Sequence, residues 1–117
     1  ADRPDVIVLE LGDGVLGLYG VDAILADPGL KGAFGAVVLA ANDPVAAWGG
    51  VRLLEERFGV ATSAVTGPAT DNVAGTRLVE RETGVAAINA RSEPSRLADA
   101  VLARLHVEPQ PERDEDA

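Results

Sequence analysis

Residues 5–20, DVIVLELGDGVLGLYG, are the stretch from which we predict the fold. The aliphatic run at residues 6–9 is unbroken, which is typical of a strand covered on both faces in a parallel sheet. The run ends at Glu10, and several glycines follow it. A carboxylate followed by glycines places charge and accessible backbone at the carboxyl end of the strand, where open α/β sheets bind ligands. The stretch predicts where a ligand site lies and leaves the ligand open.

The rest of the chain alternates short apolar runs with helical patterns. Strands are predicted at residues 5–10, 36–41, 61–66 and 85–89, and helices at residues 18–26, 44–58, 73–82 and 94–105. Alternating units of this kind predict a parallel sheet with helices packed on it. We therefore expect one α/β domain over residues 1–107, Rossmann-like, with a four-stranded parallel sheet and helices on both faces in three layers. The strand order expected for it is 2-1-3-4.

The second predicted helix has the clearest boundaries. Asp43 can cap its free amide groups, and Pro44 fits the first helical position, where a missing N–H costs nothing. Gly59 is the predicted C-terminal stop. The side predicted to be buried carries the apolar residues Val45, Trp48, Val51, Leu53, Leu54 and Phe58.

Composition excludes several classes of function. The chain is 47% hydrophobic and 25% charged, as globular domains are. It has no cysteine and a single histidine, His106, so the sequence gives no evidence for haem, zinc or an iron–sulfur cluster. The net charge of −9 argues against nucleic acid and anionic membranes as partners. No apolar run approaches a membrane span and no signal peptide is visible, so we expect a cytoplasmic protein.

The two ends of the chain carry further expectations. Residues 108–117 hold five acids and two prolines, a composition that predicts a disordered acidic tail. The chain begins with Ala1 rather than Met and enters the predicted strand within five residues. We therefore expect a piece of a longer protein.

Polar residues gather at the predicted strand ends, which meet at one edge of a parallel sheet. These residues are Glu10, Gly12, Asp13 and Gly14, then Asn42 and Asp43, then Thr66, Gly67, Thr70, Asp71 and Asn72, and finally Asn89 and Arg91. Helix amino termini at that edge offer N–H groups to an anion, and carboxylates beside them suit a hydrated Mg²⁺. We expect a small anionic ligand, with Glu10 as the metal ligand and the cofactor-binding residues Gly12, Asp13, Gly14, Thr70 and Asn72.

A structural interpretation competes with this site. Asp43, Asp71 and Ser92 occupy positions where helix N-caps belong, and capping alone accounts for them. The glycines after the first strand also suit a tight turn. Residues 12–17, GDGVLG, match the dinucleotide pattern G-x-G-x-x-G loosely, since the expected acid is displaced along the chain. The phosphate-loop pattern G-x-x-x-x-G-K-[ST] does not occur in this sequence. The sequence identifies no catalytic residue.

The run VIVLELGDGVLGLYG at residues 6–20 resembles a segment of the P-loop amidotransferase and synthetase group, which includes dethiobiotin synthetase and the cobyrinic acid diamide synthases. That group ends a strand in Glu-Gly-x-x-Gly, and its Glu helps hold Mg²⁺ near the phosphates. The resemblance matches Glu10 to this acid and sets Gly12 and Gly14 near the glycines. Leu11 replaces the usual glycine. Mg²⁺ and a nucleotide are the cofactors that the resemblance implies.

Two functions follow from these observations, and whether the protein is an enzyme stays open. The first is a nucleotide- or phosphate-binding α/β domain of a larger ATP- and Mg-dependent P-loop protein. The resemblance implies that this chain is a carboxyl-terminal portion of such a protein or a relative that has lost catalysis. The alternative is a non-catalytic Rossmann-like binding or assembly module that uses a helical face for a partner chain. The partner is then a second copy or the remainder of a longer chain.

Overall fold

The computed structural model of the protein describes residues 3–105. Its elements in chain order are α1 (Val21–Ala26), α2 (Pro28–Lys31), β1 (Val38–Ala40), α3 (Pro44–Phe58), β2 (Ala64–Thr66), a 3₁₀ turn (Pro68–Thr70), α4 (Val73–Thr83) and α5 (Pro94–Leu105). The predicted tail and His106 lie outside the described residues. Within residues 3–105, no helix combines the length and the apolar character needed to cross a membrane.

The predicted Rossmann-like, four-stranded, three-layer sheet is wrong. β1 and β2 form a two-stranded parallel sheet. The register pairs Val38 with Ala64, Leu39 with Val65, and Ala40 with Thr66. The last predicted strand is reduced to one parallel bridge, between Val65 and Ala87. The order 2-1-3-4 is also wrong, because β1 pairs directly with β2 where another strand was expected between them.

The first predicted strand does not form. Residues 6–9 have no strand conformation, and their exposed fractions are 39%, 80%, 90% and 61%. An aliphatic run indicates that a segment favours burial, but a strand also needs a neighbour for its backbone groups. Since β1 and β2 pair with each other, the position predicted between them does not exist.

Helix boundaries follow the local signals more closely. α3 and α5 have the predicted bounds, and α4 extends the predicted helix by one residue. An Asp43 carboxylate oxygen accepts a hydrogen bond from the Ala46 N–H at 2.8 Å, and Gly59 ends α3 with a φ of 66°. α1 begins later than predicted because Gly20, with a φ of 94°, is not helical. Local capping chemistry therefore decides these ends.

The buried side of α3 differs partly from the prediction. Val45 is 77% exposed and Trp48 is 44% exposed, whereas Ala47 is fully buried. Val51, Leu54 and Phe58 are buried as expected, and Leu53 is partly buried. Ala47 continues their stripe at helical spacing, and its small side chain lets the helix lie close to the core.

Most of the buried apolar residues in the described part of the chain fall into two clusters that meet at Leu39. The first cluster contains Ala41, Ala47, Val51, Val65, Ala69, Val79 and Ala87. The second cluster contains Val21, Leu25, Leu54, Phe58 and Val60, and Leu11 and Val15 pack against it. Since Leu54 and Phe58 lie in the carboxyl half of α3, the second cluster lies toward the end of that helix.

Candidate functional site

The side chain of Asn89 joins two loops of the predicted site, the loop after β2 and the loop that leads into α5. Its amide nitrogen donates to the Thr70 hydroxyl and to an Asp71 carboxylate oxygen, each at 3.0 Å. Its carbonyl oxygen accepts from the Arg91 and Ser92 N–H groups, each at 3.0 Å. We call these four contacts the Asn89 clasp. The clasp fixes the loop after β2 to the start of the segment that leads into α5.

Backbone contacts around the clasp pack the loops further. The Thr66 hydroxyl accepts from the Ala90 N–H at 2.9 Å, and the Thr70 hydroxyl donates to the Gly67 carbonyl at 2.7 Å. Gly67 has a φ of 90°, and a Cβ there would stand 2.7 Å from the Ala41 carbonyl oxygen. The loops that follow β1 and β2 therefore meet at this edge, as the sequence predicted.

The polar groups of this edge bind mainly to one another. Thr70 and Asn89 are only 4% and 9% exposed. The Thr70 hydroxyl both donates and accepts within the protein, so it has little capacity left for a ligand. Asn72 uses its side-chain oxygen to cap α4 through the Gly75 N–H, at 2.7 Å. Ligand binding by Thr70 and Asn72 stays a prediction.

The capping interpretation is confirmed for one of its three residues. Asp43 caps α3. Asp71 instead accepts from Asn89, and α5 begins at Pro94 with the Glu93 carbonyl accepting from the Leu97 N–H at 3.1 Å. The cap position of α5 thus falls on Glu93, and the prediction for Ser92 is wrong because Glu93 lies between Ser92 and the first helical residue, Pro94.

The glycine-rich loop lies apart from the clasp. Glu10, Gly12, Asp13 and Gly14 are all exposed, and Gly14 has a φ of 81°. Leu11 packs against the second cluster, which lies toward the carboxyl end of α3. Among residues 3–105, no hydrogen bond or ion pair joins residues 10–14 to the clasp. The structure does not connect the two halves of the predicted site, and the ligand roles of Gly12, Asp13 and Gly14 stay predictions.

The described residues do not assemble a metal site around Glu10. Mg²⁺ is held by oxygen ligands that converge on one point. Within the part of the chain that the structure describes, no group of three or more histidine, cysteine or acidic residues is placed to hold a metal ion. The metal-ligand role of Glu10 and the binding of a nucleotide therefore stay predictions.

Two cations that sequence reasoning missed lie near the other end of the sheet. Lys31 and Arg104 line a cavity of about 180 Å³, together with residues that precede β1 and β2. The Lys31 ammonium donates to the Phe58 carbonyl oxygen at 2.8 Å. This contact stabilises the carboxyl end of α3 and accounts for the position of Lys31. The available signal was that Lys31 is the only lysine of the chain.

Residues 6–9 expose a contiguous run of aliphatic side chains at the surface. We call residues 6–9 the amino-terminal apolar segment. Ile7 and Val8 are 80% and 90% exposed, and Leu16, Leu18 and Tyr19 in the following loop are exposed as well. Contiguous exposed apolar side chains mark contact sites more often than isolated ones do. The unbroken aliphatic run was the signal for this segment, although it was interpreted as a strand within the sheet.

A comparison with protein-family models found no match, and comparisons with curated proteins and with solved structures found no significant match. The resemblance to the P-loop synthetase group therefore stays a prediction.

Proposed function

We propose that the protein is an assembly module whose amino-terminal apolar segment is buried against a second copy of the chain. The observation that carries this proposal is the exposure of residues 6–9, which reaches 90% at Val8. Every side chain in the segment is aliphatic, so no polar contact to water offsets the exposure. A partner surface that covers the segment removes this unfavourable exposure.

The energy available from this burial favours a symmetric pair. The exposed fractions of residues 6–9 correspond to between two and three fully exposed aliphatic side chains. Burying one such side chain stabilises by about 1.5–3 kcal/mol, so one segment contributes about 4–8 kcal/mol. Association costs about 4–15 kcal/mol. Burial of one segment barely offsets that cost, whereas two copies that each bury a segment double the gain.

Pairing with a second copy also limits the assembly to two chains. A two-fold pair uses the same surface on both partners, so it closes without leaving a segment exposed. The predicted helical contact face is less favoured, because Trp48 on α3 is already partly covered by the guanidinium of Arg52, whose Cζ lies 5.1 Å from the ring centre. The polar edge of the sheet is less favoured as well, since the clasp uses its groups internally.

The test measures the oligomeric state by sedimentation equilibrium from about 1 µM to about 1 mM. We expect the wild type to dimerise with rising concentration and Val8→Lys to weaken the dimer at least about a hundredfold, since a symmetric dimer loses the contact twice. Val8 is almost fully exposed, so the folded monomer tolerates the lysine.

Val45→Lys is the matched control, because Val45 is also an exposed valine but lies on α3. It should dimerise as the wild type does, and circular dichroism should show that both variants melt as the wild-type monomer does. A wild type that stays monomeric up to about 1 mM would refute the proposal. Equal weakening by the two lysines would refute it too, since it would show a general effect of charge.

A further inference from the structure

We infer that the amino-terminal apolar segment of each copy adds as a parallel strand to the open edge of β1 in the other copy. This inference rests on the proposed assembly and specifies its mode. It makes the contact reciprocal, because each copy donates one segment and accepts one.

The open edge of β1 follows from its hydrogen bonds. The Ala41 N–H donates to the Thr66 carbonyl at 3.0 Å, and the Val37 carbonyl accepts from the Ser63 N–H at 2.7 Å. Successive peptide groups along a strand point to opposite sides. The N–H and C=O groups of Val38 and Ala40 therefore point to the side of β1 opposite β2. Residues 3–105 form no further strand on that side.

The segment fits this edge in length and chemistry. Four extended residues span about 13 Å and the three residues of β1 about 10 Å. A strand edge with unpaired peptide groups is a template for an added strand. Both sides of the segment are aliphatic, which is typical of strands in parallel sheets, and β1 and β2 already pair in parallel.

Exchange between copies is favoured over pairing within one copy. Leu11 packs against its own second cluster, to which Leu39 of β1 also belongs in part. Leu11 thus packs in the same apolar cluster as Leu39 of β1. Residues 6–9, which precede it, nevertheless remain exposed and do not pair with β1. A second copy brings an unpaired segment to each edge and closes the pair with two-fold symmetry.

Amide hydrogen exchange tests the pairing without assuming a register. We expect exchange at Val38 and Ala40 to slow at least about tenfold as the dimer fraction rises. Ala41 is the internal control, because its N–H is already bound to Thr66 in each copy. A dimer in which Val38 and Ala40 exchange as fast as in the monomer would overturn strand addition and leave the assembly proposal standing. A monomer at every concentration would overturn both.

Disulfide mapping tests exchange between copies, and the chain has no cysteine of its own. Setting Ile7 opposite Leu39 places Val8 opposite Ala40, and neighbouring strands lie about 4.8 Å apart, within disulfide reach. A mixture of Val8→Cys and Ala40→Cys should cross-link at least about tenfold faster than the control mixture of Val8→Cys and Val45→Cys. If cross-linking is no faster than in the control but the Val38 and Ala40 amides are protected in the dimer, this register is overturned. If cross-linking is no faster and these amides are not protected, strand addition itself is overturned. The double variant should give linked dimers, and a monomer with an internal bond would overturn exchange.

Discussion

Replacing Asn89 with alanine is expected to destabilise the fold by about 2–4 kcal/mol. Asn89 is 9% exposed and makes all four contacts of the clasp. Alanine removes these contacts, while the remaining side chains stay where they are. The variant therefore measures how much the clasp contributes to the junction between β2 and α5.

The magnitude follows from the partners that Asn89 leaves behind. A neutral hydrogen bond contributes about 0.5–1.5 kcal/mol net, and one to a charged group about 1.5–3 kcal/mol. Arg91 and Ser92 are exposed, so water replaces part of what their N–H groups lose. Thr70 is buried but keeps its hydrogen bond to the Gly67 carbonyl. The lost hydrogen bond to the Asp71 carboxylate and the smaller losses at Thr70, Arg91 and Ser92 together give the expected destabilisation of about 2–4 kcal/mol.

Two further variants make the expectation specific. Asn89→Asp keeps the acceptor for Arg91 and Ser92 but places a second carboxylate near Asp71, so it should destabilise at least as much as alanine does. Asn72→Ala removes a single cap bond and should cost about 1 kcal/mol. Urea denaturation of the four proteins, analysed with a shared slope, gives the free energies of unfolding. A loss at Asn89→Ala no larger than at Asn72→Ala, or an Asn89→Asp variant as stable as the wild type, would refute the reasoning.

The remaining predictions concern Gly67 and Glu10. Gly67→Ala should destabilise by more than about 2 kcal/mol in a urea melt, because its Cβ would stand 2.7 Å from the Ala41 carbonyl oxygen at a φ of 90°. Gly59→Ala, with open space around the Cβ, should cost about 1 kcal/mol, and equal losses would contradict the steric argument. Glu10→Gln should change stability by less than about 0.5 kcal/mol, because Glu10 is exposed. Melts with and without Mg²⁺ and nucleotide then test the predicted site: ligand stabilisation in the wild type that Glu10→Gln abolishes would support it, and no response in either protein would refute it.

The sequence was sufficient where a structure depends on neighbouring residues along the chain. Asp43, Pro44 and Gly59 fix the ends of α3 by capping and backbone conformation, and α5 was predicted with the same bounds. The face of α3 was predicted less well. Val45 and Trp48 are apolar and correctly spaced, but the core takes Ala47 instead, which lies fully buried in the cluster that includes Ala41 and Val65.

The candidate site shows a second reason for failure. The loops after β1 and β2 do converge, and their polar residues were the ones expected there. Small polar side chains that suit a ligand also suit one another, so residue type alone does not separate a binding site from a closed network. The side-chain nitrogen and oxygen of Asn89 both form hydrogen bonds within the protein, so this edge of the sheet is a closed network.

β1 and β2 are buried to different extents. This difference relates the predicted first strand, which does not form, to the exposed amino-terminal apolar segment. All three residues of β2 are buried, whereas Val38 and Ala40 of β1 are exposed. β2 has β1 on one side and the bridge at Ala87 on the other, so its peptide groups have partners on both sides. Within residues 3–105, β1 has a partner strand on one side only, and a two-stranded sheet is marginal without further cover. The aliphatic composition of residues 6–9 predicts burial beside another strand but does not say in which copy of the chain that strand lies. One added strand therefore satisfies both the edge of β1 and the segment, and exchange between two copies supplies it to each.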